Sequence, residues 1–146
     1  MTRGLPLVLL SLLFLGAFRW QQGRSLAERV LADRAAITAA AATSGVDPEL
    51  ALGLVWERRV HALAPAEWPA ATQAALAAFV DLRRRLGATE LALLWFCGQE
   101  AVVRDALARH RGQAARAAAW VRGQPEGLPV HRVLGVGRRL ARTPRA

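Results

Sequence analysis

One carboxylate stands out as a candidate for acid–base chemistry, because it follows a long apolar stretch. The segment PELALGLVWE ends in Glu57 and is apolar on every side from Leu50 to Trp56, as expected of a helix buried in the middle of a domain. At helical spacing Glu57 shares a face with Leu50, Gly53 and Leu54, so it projects from an apolar surface. Loss of hydration there disfavours the anion, which suits a general acid working near neutral pH.

A structural interpretation of the same glutamate stays open. In that case Glu57 belongs to a solvent-facing helix end and pairs with Arg58 or His61. Other reactive groups are few. The single cysteine, Cys97, excludes an internal disulfide framework, ends a short apolar helix and is expected to pack structurally. The chain has only three histidines and no Gly-rich phosphate loop, HExxH or GxSxG motif, so we expect no metal and no organic cofactor.

Tryptophan side chains are the second group of interest, because flat aromatic faces suit pyranose rings. Trp56 and Trp95 stand in apolar helices, where a position in the core is the simpler interpretation. Trp68 follows a loop and precedes a proline, so it is the better candidate for the wall of a sugar-binding cleft.

Charge is distributed unevenly along the 146 residues. All 20 basic residues are arginines, against 11 acids, which gives a formal net charge of +9. Residues 104–146 hold ten of those arginines but only two acids, Asp105 and Glu126. This basic last third could face an anionic partner, such as nucleic acid, anionic lipid or a cell-wall polymer. A solvated surface enriched in arginine by a GC-rich genome is an equally simple explanation.

The first twenty residues are typical of a secretion signal. Leu5–Phe18 is almost wholly apolar, too short for a membrane span of about 20 residues and suited to a signal-peptide core. No good cleavage site follows, so we expect residues 1–23 to be a signal peptide or an uncleaved signal anchor. Arginines after this run, such as Arg19 and Arg24, would by the positive-inside rule keep the domain in the cytoplasm. We favour export, with the domain anchored in the inner membrane and facing the periplasm, or secreted after cleavage.

The rest of the chain contains residues that typically begin and end helices. Ser25 and Glu28 form a capping box that predicts a helix to about Thr43, closed by a glycine. Asp47 then caps a second helix over residues 48–60, with proline at its first position. Similar signals continue to a final basic helix over residues 130–142. We therefore expect a compact all-α domain of about six short helices.

Three segments resemble the soluble lytic transglycosylase family, which has a lysozyme-like helical fold. Gly45–Glu57, GVDPELALGLVWE, resembles the turn and apolar helix that in this family end in the catalytic glutamate. Ala70–Leu107 resembles the helices that follow, and Pro129–Arg139 resembles the closing helix. The likeness covers most of residues 40–140. It implies a lysozyme-like domain over residues 24–142, followed by a basic tail over residues 143–146.

The resemblance also implies a reaction and a set of site residues. Glu57 would protonate the glycosidic oxygen between N-acetylmuramic acid and N-acetylglucosamine, and then take the proton from the muramyl 6-hydroxyl as an anhydro ring closes. Trp95-Phe96 replaces the family's Tyr-Asn pair, and Gly98 keeps its glycine. With Trp68, these are the expected substrate-binding residues. The expected partners are peptidoglycan glycan strands and, through residues 5–18, the membrane.

Departures from the family pattern keep two other functions open. Arg58 stands where the family has serine, and the Gly-Leu-Met-Gln loop that lines the sugar cleft has no counterpart before Pro69. The domain could therefore be a catalytically degenerate wall-binding or scaffold module, working with a protein partner in the cell envelope. Alternatively, a cytoplasm-facing protein could bind anionic lipid, or less plausibly nucleic acid, through its basic last third.

Overall fold

The protein is all-helical in the computed structural model, which describes residues 25–144. No strand occurs within that range, so the all-α expectation is confirmed. The predicted signal or anchor segment, residues 1–23, lies outside the described residues, and none of the described helices is long and apolar enough to cross a bilayer. The helices are α1 (25–32), α2 (Arg34–Ser44), α3 (Pro48–Glu57), α4 (Trp68–Leu86), α5 (Thr89–Phe96), α6 (Glu100–Arg109), α7 (Ala114–Arg122) and α8 (Leu128–Arg142).

Eight helices form where about six were expected, partly because the first predicted helix is divided. The helix expected from Ser25 to Thr43 is interrupted by a turn at Asp33. The interruption is local, since the Asp33 amide still donates to the Arg29 carbonyl at 3.1 Å and its carbonyl accepts from the Ile37 amide at 3.1 Å. The Asp33 side chain accepts a hydrogen bond from a residue 28 positions away, which no short-range sequence signal contains.

The sequence predicts the start of α3 correctly, but it places the end of the helix too late. Gly45 closes α2 in the left-handed conformation (φ 64°), and the Asp47 side chain accepts a hydrogen bond from the Leu50 amide at 3.0 Å. The helix then ends at Glu57 rather than near residue 60. Arg59 adopts a left-handed conformation (φ 52°), which stops the helix before a 3₁₀ turn over Val60–Ala62.

The core is built around α3, whose residues 50–55 are all buried. Because α3 has no polar stripe, other helices must cover it on every side. α2, α4 and α8 pack against it, and α5 contributes a second apolar segment, residues 91–94, that is also buried. The largest fully buried side chains include Phe79, Leu52, Leu54, Leu76 and Leu93.

α3 and α8 approach each other so closely that glycine is required on both. A Cβ atom on Gly53 would overlap the backbone carbonyl of Val133, and one on Gly137 would overlap the backbone carbonyl of Glu49. Both contacts are with backbone atoms, which cannot move aside as a flexible side chain could. The two helices therefore pack backbone against backbone, and α8 covers the remaining side of α3.

A second connection joins the start of the described chain to the turn after α3. His61 is fully buried, and its Nε2 lies 3.0 Å from the Asp33 Oδ2 atom. The His61 carbonyl accepts a hydrogen bond from Arg29 at 3.2 Å, and the imidazole ring lies 4.4 Å from the ring of Trp68. This cluster fixes the α1–α2 junction against the start of α4.

Substitution of Gly137 by alanine should destabilise the protein, whereas the same change at Gly135 should not. The added methyl group at Gly137 meets the Glu49 carbonyl, and overpacking of this kind costs about 1–3 kcal/mol. Gly135 lies in the same helix with open space around a built Cβ, so alanine there should stabilise by about 0.5–1 kcal/mol. Urea unfolding followed by circular dichroism measures both changes. Equal effects of the two substitutions would contradict the close helix contact.

Loss of the Asp33 carboxylate should also be costly, because it leaves the buried imidazole of His61 without its partner. We expect Asp33→Ala to lower the free energy of unfolding by about 1–3 kcal/mol. Asp81→Ala is the control: its carboxylate pairs with two exposed arginines on α4, and its loss should cost no more than about 0.5 kcal/mol. The same urea titration compares them, and similar losses for both variants would show that the buried pair does not stabilise the fold.

Candidate functional site

Glu57 is the last residue of α3, and its side chain is 19% exposed. Its Oε1 atom accepts a hydrogen bond from the Nη2 atom of Arg132 at 2.6 Å. Arg132 projects from α8 and is itself 59% exposed. The glutamate thus lies at the surface end of the buried helix, where α8 crosses it, with a guanidinium as its charged partner.

The two neighbours that the sequence offered as ion-pair partners have other contacts. His61 pairs with Asp33 in the core. The Arg58 guanidinium lies over the ring of Phe96, 4.1 Å from its centroid, in a cation–π contact. Partner choice here depends on the tertiary contact between α3 and α8, which places Arg132 beside a residue 75 positions earlier in the chain.

The Cys97 thiol is the third functional group at this position. It follows the last residue of α5 and is partly buried. The pKa of Cys97 is raised from 9.0 to about 11, first by burial and next by the negative charge of Glu57. A hydrogen bond between the two side chains also raises it, whereas the positive charges of Arg132 and Arg58 lower it. The thiolate is the nucleophilic form of cysteine, so a thiol with this pKa is inert near neutral pH.

The two aromatic residues at the end of α5 each have an arginine near the ring, Arg58 for Phe96 and Arg104 for Trp95. Phe96 is only 3% exposed and packs edge-on against Phe79, with 6.2 Å between the ring centroids. Trp95 is partly exposed, and Arg104 lies 5.7 Å from its ring centroid. Gly98 turns the chain away from α5 in a left-handed conformation (φ 82°) that favours glycine.

Trp68 occupies a different neighbourhood from the predicted acid. Its indole Nε1 donates to the Leu63 carbonyl at 3.1 Å, and its ring packs against His61. It therefore belongs to the buried cluster around Asp33. Of the predicted site residues, the structure brings Glu57 together with the end of α5 and places Trp68 beside the Asp33–His61 pair.

The sequence alone does not identify two of the ion-pair partners described above, Arg132 of Glu57 and Asp33 of His61. Arg132 is one of ten arginines in the last third of the chain, and nothing local distinguishes it from the others. Asp33 lies within a predicted helix, where an acidic side chain is ordinarily solvated. Arg132 and Asp33 acquire their partners only when distant helices pack together.

Four surface cavities of the described residues lie away from the glutamate. They have volumes of about 340 to 640 Å³ and walls from α1, α2, α3, α4, α8 and residues 143–144, and Glu57 lines none of these four. Within the described residues no group of three His, Cys, Asp or Glu side chains is arranged to hold a metal ion. Glu57 lies instead on an open surface, with Arg132 as its covering side chain.

Comparison of the chain with protein-family models, curated proteins and solved structures gives no match. The resemblance to lytic transglycosylases therefore remains a prediction that rests on the sequence segments described above.

The Cys97 thiol should alkylate slowly, and Glu57→Gln should accelerate the reaction. In the parent protein the rate should rise with pH around a pKa of about 11. Removing the Glu57 charge takes away an effect that favours the neutral thiol, so the pKa should fall and the thiolate fraction at pH 8 should increase. Alkylation by iodoacetamide, followed by mass spectrometry across a pH series, measures this.

Glu49→Gln is the matched control for that experiment, since it removes the same charge from the same helix without touching the thiol. Its pH profile should coincide with that of the parent protein. A parent profile with the ordinary cysteine pKa of about 8.5 would contradict the contact between the thiol and Glu57.

Proposed function

We propose that the protein is a peptidoglycan-acting, lytic transglycosylase-like domain in which Glu57 is the single acid/base. The observation that carries the proposal is the placement of this carboxylate at the surface end of the most buried helix of an all-α domain. A rigid helix fixes the position of its last residue, and a fixed position is what one catalytic carboxylate requires. The lysozyme-like fold and a location in the cell envelope, facing the periplasm, belong to the same proposal.

The chemistry needs one group that alternates between two protonation states. Protonated Glu57 gives its proton to the glycosidic oxygen as the bond between N-acetylmuramic acid and N-acetylglucosamine breaks. The resulting carboxylate then accepts the proton of the muramyl 6-hydroxyl as that oxygen attacks C1 and closes the 1,6-anhydro ring. Protons balance over the two steps, and no water enters the product.

The ion pair with Arg132 must open before Glu57 can act. An ion pair with a solvent-exposed partner is worth on the order of 1 kcal/mol, because water replaces the lost contact. Arg132 is 59% exposed on the outer side of α8, so its side chain can swing into solvent.

A non-catalytic wall-binding or scaffold module of the same fold is the second candidate. The observation that favours it is the arginine contact at each key position: Arg132 on Glu57, Arg58 on Phe96 and Arg104 near Trp95. In this version the arginines themselves contact the glycan or its anionic substituents, and the glutamate only orients one of them.

Digestion of purified peptidoglycan by the full chain distinguishes these two functions. We expect the parent protein to release 1,6-anhydromuropeptides, identified by mass, and Glu57→Gln to lower the rate at least about 100-fold, as for loss of a general acid. Glu49→Gln keeps the same charge change on α3 away from the proposed site, and should digest at the parent rate.

One outcome of the digestion would contradict a catalytic role for Glu57. If neither the parent nor Glu49→Gln releases products while the chain still sediments with the polymer, Glu57 is not a catalytic acid and the binding module is supported. If the chain neither cleaves nor sediments with peptidoglycan, both functions are excluded.

A further inference from the structure

The outer face of α8 is entirely basic or neutral. The helix sequence LPVHRVLGVGRRLAR contains no acidic residue, and its buried side, which includes Val133 and Leu140, packs on the core. On α4 and α6, by contrast, Arg84, Arg85 and Arg109 each pair with an acid three or four positions earlier, Asp81 for the first two and Asp105 for the third. The exposed residues of the outer face are Leu128, His131, Arg132, Gly135, Arg138, Arg139 and Arg142.

The positive charge of this face is least compensated at its C-terminal end. Arg132 is paired with Glu57, and Arg138 lies 3.9 Å from a carboxylate oxygen of Glu49. Arg139 and Arg142 have no carboxylate within 4 Å among residues 25–144. With Arg138 they line a shallow hollow of about 530 Å³, which we call the arginine hollow; its other walls are Gly135, Thr143 and Pro144.

The fold brings the arginine hollow to the place where the described chain begins. An Nη1 atom of Arg34, at the start of α2, donates to the carbonyls of Leu140, Ala141 and Thr143 at 2.8–3.2 Å. Glu28 of α1 shares a neighbouring cavity of about 640 Å³ with Thr143 and Pro144. In the sequence, only residues 19–24 separate α1 from the apolar run Leu5–Phe18.

We propose that the arginine hollow binds the phosphate groups of anionic phospholipids, beside the point where the apolar run joins the domain. Guanidinium groups present planar pairs of donors that match phosphate oxygens. Stable membrane attachment generally combines an apolar segment with a cluster of basic residues, because either alone binds weakly. Here the arginine hollow shares Thr143 and Pro144 with a cavity lined by α1, and α1 begins seven positions after the apolar run ends in the sequence.

Lipid fits this surface better than nucleic acid does. Proteins that bind single-stranded nucleic acid combine basic residues with aromatic side chains on which bases stack. The exposed face of α8 carries no Trp, Tyr or Phe, and the uncompensated arginines lie within one helical turn rather than along an extended groove. The proposal does not depend on Glu57 or on the reaction proposed for it.

A competition between two vesicle populations tests the proposal with the full chain. The chain is offered phosphatidylcholine vesicles and vesicles that also contain phosphatidylglycerol, in sub-solubilising detergent that lets it exchange between them. Because the apolar run contributes equally to both, their occupancy ratio reports the electrostatic contact. Arg139→Gln/Arg142→Gln should lower the preference for phosphatidylglycerol about 25-fold, from about fivefold for each arginine.

Arg84→Gln/Arg85→Gln is the matched control, since it removes two exposed, adjacent arginines from another helix. Its preference should stay within about twofold of the parent value, and added salt should abolish the preference in both. Circular dichroism checks that each variant is folded. Equal losses in the two variants would show that net charge alone is responsible, and would overturn the site. A parent chain without any preference, or one whose arginine hollow instead binds a DNA duplex, would overturn the lipid assignment.

Discussion

The backbone contact between α3 and α8 determines most of what this protein presents to its surroundings. α3 is apolar on all sides and gains stability only when every side is covered. α8, the last helix of the chain, covers the remaining side, and it can do so only because Gly53 and Gly137 let the backbones touch. A larger residue at either position would push α8 outward and expose part of the core.

This contact also fixes the positions of the charged groups. Once the buried face of α8 is against α3, its opposite face must point to solvent, and that face holds only arginines and neutral residues. The same packing places Arg132 beside Glu57 and brings the C-terminal end of α8 against the start of α2, where Arg34 donates to the carbonyls of Leu140 and Ala141. The packing of two glycines therefore sets both the environment of the candidate acid and the location of the arginine hollow.

Sequence patterns predicted the features that depend on neighbouring residues. The all-α class, the Asp47 cap and the glycine that ends α2 were predictable, because a cap or a left-handed residue acts within one helical turn. The break at Asp33, the early end of α3 and the Glu57–Arg132 pair were not. The early end of α3 follows the left-handed conformation of Arg59, a residue type in which that conformation is not expected. The contacts of Asp33 and Glu57 join residues 28 and 75 positions apart, and a pattern of single residues does not encode which distant side chains will meet.

Glu57 has the position expected of a catalytic acid, but its carboxylate already has hydrogen-bond partners within the protein. Its carboxylate lies where a rigid helix ends, as a catalytic acid would, yet it interacts with two donors, the Arg132 guanidinium and the Cys97 thiol. In the proposed reaction, a glycosidic oxygen would have to replace the guanidinium to receive a proton from this group. The guanidinium comes from a side chain on α8 that is 59% exposed, and a contact with such a partner is worth on the order of 1 kcal/mol. Helix packing thus fixes the position of the carboxylate, and under the proposed function the displacement of Arg132 would decide whether that carboxylate is available.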